Sequence, residues 1–465
     1  MKILQIGAAV LLPLAIAGCA GTNPQAAFRG VEDTTSVRTG ASLRWQREDS
    51  AHQPVAQIID GLLKNQITAA TATEIALLNN RSLQAAFEEI GISQADLAQA
   101  SRLPNIEIAG SWRFPNRPPS AADIEYSATG NLLDLLTLPA RKKIAARNLE
   151  QTKLKVADVV LHLAADTQAA FYALQAQMEL AGHLEVMIEV NDAAADLAQR
   201  QFDAGNISEL ELANQQAPAA QTRIELMAAK ARVRVDRERL NRLLGLSGAQ
   251  INWQIAGELP PLPAAEPPLE NLETLAVSRR LDLAALRSQA DALAAALRLK
   301  QRTRFFPGAK VGVDSERTPD GQRVTGPTLA LEVPLFDQGQ PALARLAAEL
   351  AQAWDNYAAR EVNARSEVRE TRDALLTARE AVEFSKRNLL PLRKKILGQT
   401  LLHYNAMQKN SYDLLLAKER EQMAEQTFVE SKRDYWIAHV ELERAVGGRV
   451  NQKSVNESNP ERSKP

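Results

Sequence analysis

Phe202-Asp203-Ala204-Gly205-Asn206-Ile207-Ser208-Glu209-Leu210-Glu211 reads as a short turn between two long helices. Ser208 and Glu211 have the Ser-x-x-Glu spacing of a capping box, so a helix starts there. Upstream, from Pro139 to Phe202, no proline follows the first residue and the only glycine is Gly182. Proline is well tolerated as the first residue of a helix. A helix of about 64 residues would be about 95 Å long at 1.5 Å per residue. Propensity alone does not hold such a helix, so it needs a partner along its length. The stretch 208–244, folding back from the turn, supplies one.

The same punctuation returns 202 residues later. Tyr404-Asn405-Ala406-Met407 stands where Phe202-Asp203-Ala204-Gly205 stood, and Asp413 where Glu211 stood. Glu443-Arg444-Ala445-Val446-Gly447 answers Asn241-Arg242-Leu243-Leu244-Gly245, and Pro341 answers Pro139. Pro307 follows Pro104 at nearly the same distance. Matched spacing of this kind predicts an internal duplication.

Each half then reads alike. A helix is predicted over 71–102 and again over 269–302. Period-two alternation follows at 105–114 and 309–317, as in Ile106-Glu107-Ile108 and Lys310-Val311-Gly312-Val313. Turn residues come next: Pro115, Asn116, Pro118 and Pro119 in one half, Pro319-Asp320-Gly321 in the other. Second strands return over 124–136 and 324–336. Long helices follow, over 139–202 and 341–404, with returning partners at 208–244 and 411–446. Pro218 and Pro391 fall inside helices near the turns, where a missing hydrogen bond bends a helix. They read either as tolerated kinks or as bends with a gating role.

Two hairpins per chain, four strands, cannot close a membrane barrel, which needs at least eight. Open sheet edges cannot sit in lipid. The strands therefore form a soluble sheet or are shared between chains, and three chains would contribute twelve.

Composition narrows the function classes. Of 465 residues 45% are hydrophobic but only 5% aromatic, which favours close-packed helices. Fifty-five basic residues face 56 acidic ones, so no basic field supports nucleic-acid binding. His52, His162, His183, His403 and His439 are scattered, with no carboxylate or cysteine at metal-ligand spacing. No phosphate loop is present. Catalysis, a metal site and a cofactor have no support.

The N-terminus carries a separate signal. Met1-Lys2 precedes an apolar run to Ile16, then Ala17-Gly18-Cys19. A basic start, a short apolar stretch and small residues make a secretory signal. The run is too short for a comfortable membrane span. The ending resembles the bacterial lipobox, which implies cleavage before Cys19 and its lipidation. Ala20 leans toward the outer membrane. An ordinary cleaved signal with an incidental cysteine is the plainer alternative.

Taken together, the blocks at 202–210, at Tyr404-Asn405-Ala406 with Asp413-Leu414-Leu415, at Pro334-Leu335-Phe336-Asp337-Gln338-Gly339 and at Arg280-Leu281-Asp282-Leu283 resemble the TolC-type outer-membrane efflux protein family. The resemblance covers residues 70–447. The junction at Leu132-Leu133-Asp134-Leu135-Leu136-Thr137-Leu138-Pro139 departs from it, and Met407 stands where glycine is usual.

The resemblance implies a mainly α fold with a small β part: long coiled-coil hairpins and four strands per chain. A homotrimer would form a twelve-stranded barrel on an α-helical periplasmic tunnel. It implies a passive exit duct in the outer membrane of a Gram-negative bacterium, lipid-anchored and extending into the periplasm. Its partners would be a periplasmic adaptor and an inner-membrane transporter. A periplasmic adaptor lipoprotein and a structural coiled-coil lipoprotein are the alternatives. Phe202, Gly205, Tyr404 and Met407 would form the periplasmic tip turns. Glu211 and Asp413 would line the aperture and favour cations. Lys409, four residues before Asp413, would pair with it or link to a neighbouring helix. The plainer reading of all three is solvated tip charge.

The expected organisation is a signal peptide (1–18), an anchored, weakly patterned segment (19–70), a first repeat (71–256), a proline-rich linker (257–268), a second repeat (269–447) and a loose tail (448–465). Cargo leaves no mark in the sequence.

Overall fold

The structure, a computed structural model, describes residues 23–47, 49–117, 121–306 and 308–450. The expected signal peptide and Cys19 lie outside the described residues, as do Pro118, Pro119, Pro307 and the tail beyond 450.

In chain order the helices are α1 (Pro24–Thr39), α2 (Asp49–Leu63), α3 (Ala69–Asn79) and α4 (Arg81–Ala100). Strands β1 (Glu107–Arg113) and β2 (Asp123–Asn131) lead to α5 (Leu132–Asp203) and α6 (Glu209–Leu244). Then come α7 (Leu272–Arg279), α8 (Leu281–Thr303), β3 (Ala309–Arg317) and β4 (Arg323–Leu331). Helix α9 (Gln340–Phe384), a π-helical turn (Ser385–Leu389), α10 (Leu390–Asn405) and α11 (Ser411–Val446) complete the chain. The protein is mainly helical with one small antiparallel sheet.

Two compact units share these elements, with α5 and α9 contributing residues to both. The first holds, among the described residues, 23–31, 87–156 and 282–360. Its sheet has the order β1-β2-β3-β4 with every pair antiparallel, so β1 and β4 are its two edges. Alternation gives the sheet two unlike faces. One carries Ile108, Trp112, Ile124, Tyr126, Val311, Val313, Leu329 and Leu331. The other carries Glu107, Arg113, Asp123, Glu125, Lys310, Asp314 and Glu316, with ion pairs Lys310–Glu107 at 2.7 Å and Arg113–Glu125 at 2.8 Å. Ile108, Trp112, Tyr126, Val313 and Leu329 stay exposed. Among the helices of this unit, Ser288 Oγ donates to the Arg147 carbonyl at 3.0 Å and Arg360 pairs with Asp282 at 2.5 Å.

The second unit holds, among the described residues, 32–86, 157–281 and 361–450. One core gathers Val55, Ile59, Ile75, Phe171, Leu174, Leu240 and Trp253. Another gathers Leu275, Val368, Leu375, Tyr435 and Leu442. The proline-rich segment is fastened along its length. Gln175 donates to the Ala256 carbonyl at 3.0 Å, and Glu179 accepts from the Leu259 N–H at 3.0 Å. Trp436 donates to the Pro260 carbonyl at 3.0 Å, and Arg379 to that of Pro263 at 3.1 Å.

Several expectations need correction. Residues 24–63 are largely helical, and Phe28, Val31, Trp45, Val55 and Ile59 are buried. The helix expected over 71–102 is broken at Asn80, whose side chain accepts from the Leu83 N–H at 3.0 Å and so caps α4. The one expected over 269–302 is broken likewise at Arg280, which is extended at ψ 127°. Strand β2 stops at Asn131, because its side chain takes the Leu133 N–H at 3.0 Å and starts α5 before Pro139. Strand β4 stops at Leu331 instead of 336. Helix α6 runs on through Pro218. At Pro391 the missing N–H is met by a π turn just upstream, where the Leu390 N–H reaches back to the Ser385 carbonyl.

Candidate functional site

The two tip turns belong to the second unit and have one geometry. After α5, the Gly205 N–H donates to the Phe202 carbonyl and the Asn206 N–H to that of Gln201, each at 2.8 Å. After α10, the Met407 N–H donates to the Tyr404 carbonyl at 2.9 Å and the Gln408 N–H to that of His403 at 2.8 Å. Such bonds satisfy the last carbonyls of a helix and require a left-handed residue. Gly205 takes that conformation at φ 71° without a side-chain penalty. Met407 takes it at φ 57° with its side chain 95% exposed. Replacing glycine by methionine therefore leaves the turn intact but strained.

Both returning helices open with a capping box. Ser208 Oγ accepts from the Glu211 N–H at 3.2 Å, while Glu211 Oε2 accepts from the Ser208 N–H at 2.8 Å. Asn410 Oδ1 accepts from the Asp413 N–H at 2.8 Å, and Asp413 Oδ2 from the Asn410 N–H at 3.4 Å. The two acidic residues singled out in sequence thus occupy the same helix-capping place. The bonds from Ser208, backbone first and hydroxyl second, hold the Glu211 carboxyl below the usual glutamate range. A carboxylate here is also favoured by the positive end of the helix dipole. Glu211 stays solvent-facing while it caps, and Asp413 is partly exposed.

Lys409 lies 3.6 Å from Asp413 Oδ2, with the lysine side chain 52% and the aspartate side chain 37% exposed. An exposed pair at that distance adds little stability. Phe202 and Tyr404 flank their turns, both exposed.

Sequence reasoning did not find the link between the two tips. Tyr412, in the first turn of α11, donates its hydroxyl to Gln201 Oε1 near the end of α5 at 2.7 Å. Burial raises the Tyr412 pKa, and the nearby Glu211 charge raises it further. The capped starts of both returning helices therefore lie within electrostatic reach of each other. The capping box at Asn410 could have been read from its Asn-x-x-Asp spacing. The Tyr412–Gln201 bond joins residues too far apart in sequence for any local pattern to announce it.

Among the described residues, no three His, Cys, Asp or Glu side chains are grouped to hold a metal ion. No helix among them is long and apolar enough to cross a membrane.

Residues 72–246 match the family model described as outer membrane efflux protein. That stretch, which includes the first strand pair and the first helical hairpin, is thus similar to outer membrane efflux proteins. The cobalt-zinc-cadmium resistance protein CzcC of Cupriavidus metallidurans is 24% identical over 362 residues, 76% of this chain and 83% of that protein. The outer membrane channel CmeC of Campylobacter jejuni superposes with a TM-score of 0.70 at 17% identity, over 84% of this chain and 89% of that one. The open-state outer membrane channel MtrE of Neisseria gonorrhoeae gives a TM-score of 0.61 at 17% identity, over 82% and 89%. The fold of these channels thus spans both the sheet and the helical hairpins. The matched family is one of transport ducts rather than of enzymes.

Proposed function

We propose that this chain is the outer-membrane exit duct of a tripartite efflux system. Three copies together close a twelve-stranded barrel continued by a helical tunnel. The observation that carries this is the sheet. It has four strands, two open edges, one exposed apolar face and one charged face. A sheet cannot meet lipid with open edges, so its apolar face calls for neighbouring copies to pair β1 with β4. The charged face then lines a wet lumen.

The matching turns, caps and helix breaks in the two halves support a duplicated chain. The lipobox-like Ile16-Ala17-Gly18-Cys19 supports a lipid anchor at Cys19. Phe202, Gly205, Tyr404 and Met407 form the periplasmic tip, where an adaptor and an inner-membrane transporter engage the duct. Glu211 and Asp413 place six carboxylates around the aperture of a trimer, and Lys409 restrains Asp413. The chain does no chemistry: the transporter supplies the driving force. Divalent metal cations are the cargo class that the likeness to a cobalt-zinc-cadmium resistance protein favours.

Single-channel conductance of the lipidated protein in planar bilayers tests the duct. The expected result is a small, cation-selective conductance whose selectivity falls in a Glu211→Gln/Asp413→Asn variant. A folded, membrane-bound preparation without conductance would remove the channel reading and favour an adaptor or structural lipoprotein. Plating cells that lack the chain on zinc, cobalt and cadmium tests the cargo. Unchanged metal tolerance would remove the metal assignment.

A further inference from the structure

At the loop end of the sheet one row of facing residues runs Trp112, Ile124, Arg317, Arg323 across the four strands. The row lies on the apolar face. One row inward sit Tyr126 and the Ser315–Thr325 pair, whose hydroxyls bond each other at 2.9 Å. Trp112 meets Tyr126 edge to face with ring centroids 5.7 Å apart. Paired aromatics at one end of an apolar band mark the level where lipid gives way to water. Arg317 and Arg323 stand at that level on the next two strands.

Their arrangement is unusual in two respects. They are directly opposed across β3 and β4, and like charges so placed destabilise a sheet. Both are exposed, and neither side chain forms a hydrogen bond or ion pair with a described residue. The acids nearby are turned elsewhere. Asp320 accepts from the Thr318 hydroxyl and from the Gln322 N–H within its own turn. Glu316 and Glu125 lie on the opposite face.

We propose that Arg317 and Arg323 form a clamp for the phosphate of a lipid headgroup in the outer leaflet, one clamp per copy around the barrel. Guanidinium forks bind phosphate oxygens in pairs. One phosphate between two opposed arginines converts a repulsion into two charge-assisted contacts. The aliphatic stems lie along the apolar face while the charged ends reach the headgroup layer. The occupant is a lipid because the clamp faces the same way as Trp112, Ile108 and Leu329, away from the charged lumen. The inference rests on the barrel reading above, which makes that face the lipid-facing one.

Native mass spectrometry of the purified full-length protein tests it. The probes are bis-phosphorylated lipid A and the same glycolipid stripped of phosphate, each with and without inorganic phosphate as competitor. Conductance is recorded on every preparation. The wild type is expected to retain the phosphorylated lipid at least about tenfold better than the stripped one. Arg317→Gln/Arg323→Gln loses that preference while conducting normally. Arg317→Lys/Arg323→Lys keeps the charge but not the forks and retains an intermediate preference. Equal retention of both lipids by a conducting wild type overturns the clamp and leaves the duct intact. So does a preference that survives in the glutamine variant. Displacement by inorganic phosphate alone overturns the lipid assignment in favour of a free anion. Preparations that never conduct overturn the duct and the clamp together.

Discussion

The Tyr412 hydroxyl donates to Gln201 Oε1 at 2.7 Å, tying the first turn of α11 to the last turns of α5. This bond joins the two tip hairpins within one chain. Tyr412→Phe removes the donor and leaves the ring. A bond of this kind contributes about 1 kcal/mol, so any opening that separates the two tips should become roughly fivefold more favourable. Larger or longer openings in planar bilayers are the expected result. Unchanged openings would mean that the tips do not separate when the duct opens.

Glu211 sets a pH dependence at the first tip. Its folded pKa is depressed by the two bonds from Ser208. A depressed carboxyl contributes stability that is present above its unfolded value, near 4.3, and lost as pH falls through the folded value. Protection of the amides at residues 208–212, measured against their intrinsic exchange rates at each pH, should therefore be high at neutral pH and fall under acid conditions. Glu211→Gln should flatten that dependence. A wild-type profile as flat as the variant's would contradict the capping box.

Met407 carries a strain that Gly205 does not. Met407→Gly should relieve about 1 kcal/mol of left-handed backbone cost. The gain is local, so it should appear as slower amide exchange at residues 404–410. Gly205→Met should do the reverse at residues 202–208.

Lys432 and Glu179 form a largely buried ion pair at 3.0 Å beside the proline-rich segment. Glu179 also holds the Leu259 N–H. Removing one partner of such a pair leaves an uncompensated charge, so Lys432→Met should cost about 3 kcal/mol. Replacing both, as Lys432→Met/Glu179→Leu, should recover part of that loss. Thermal unfolding of the two variants decides it. A single variant as stable as the wild type would show that the pair is solvated in practice.

Much of this fold could be read before any coordinate. Alternation at Lys310-Val311-Gly312-Val313 becomes strand β3, and the Ser208–Glu211 spacing becomes a capping box, because both signals are local. What escaped reading depends on distant partners. Helix α1 has few apolar residues, yet Arg38 fixes its end by donating to the carbonyls of Arg279 at 2.7 Å and Gly447 at 3.2 Å. Asn80 breaks a helix whose sequence would otherwise continue, because its amide also serves the Leu243 carbonyl at 2.9 Å. Proline misled in both directions. In sequence Pro139 reads as a helix start and Pro391 as a bend, while the chain adjusts ahead of one with an early cap and ahead of the other with a π turn.

The open edges of the sheet carry a genetic consequence. If three copies close each barrel, a chain whose β1 edge cannot pair spoils every ring that it joins. Co-expressed in equal amounts with normal chains, it should leave about one intact barrel in eight when copies mix at random. A defect in one allele would then behave as dominant, with resistance falling far below half. Damage confined to a tip turn, which leaves the seams whole, should dilute far more gently.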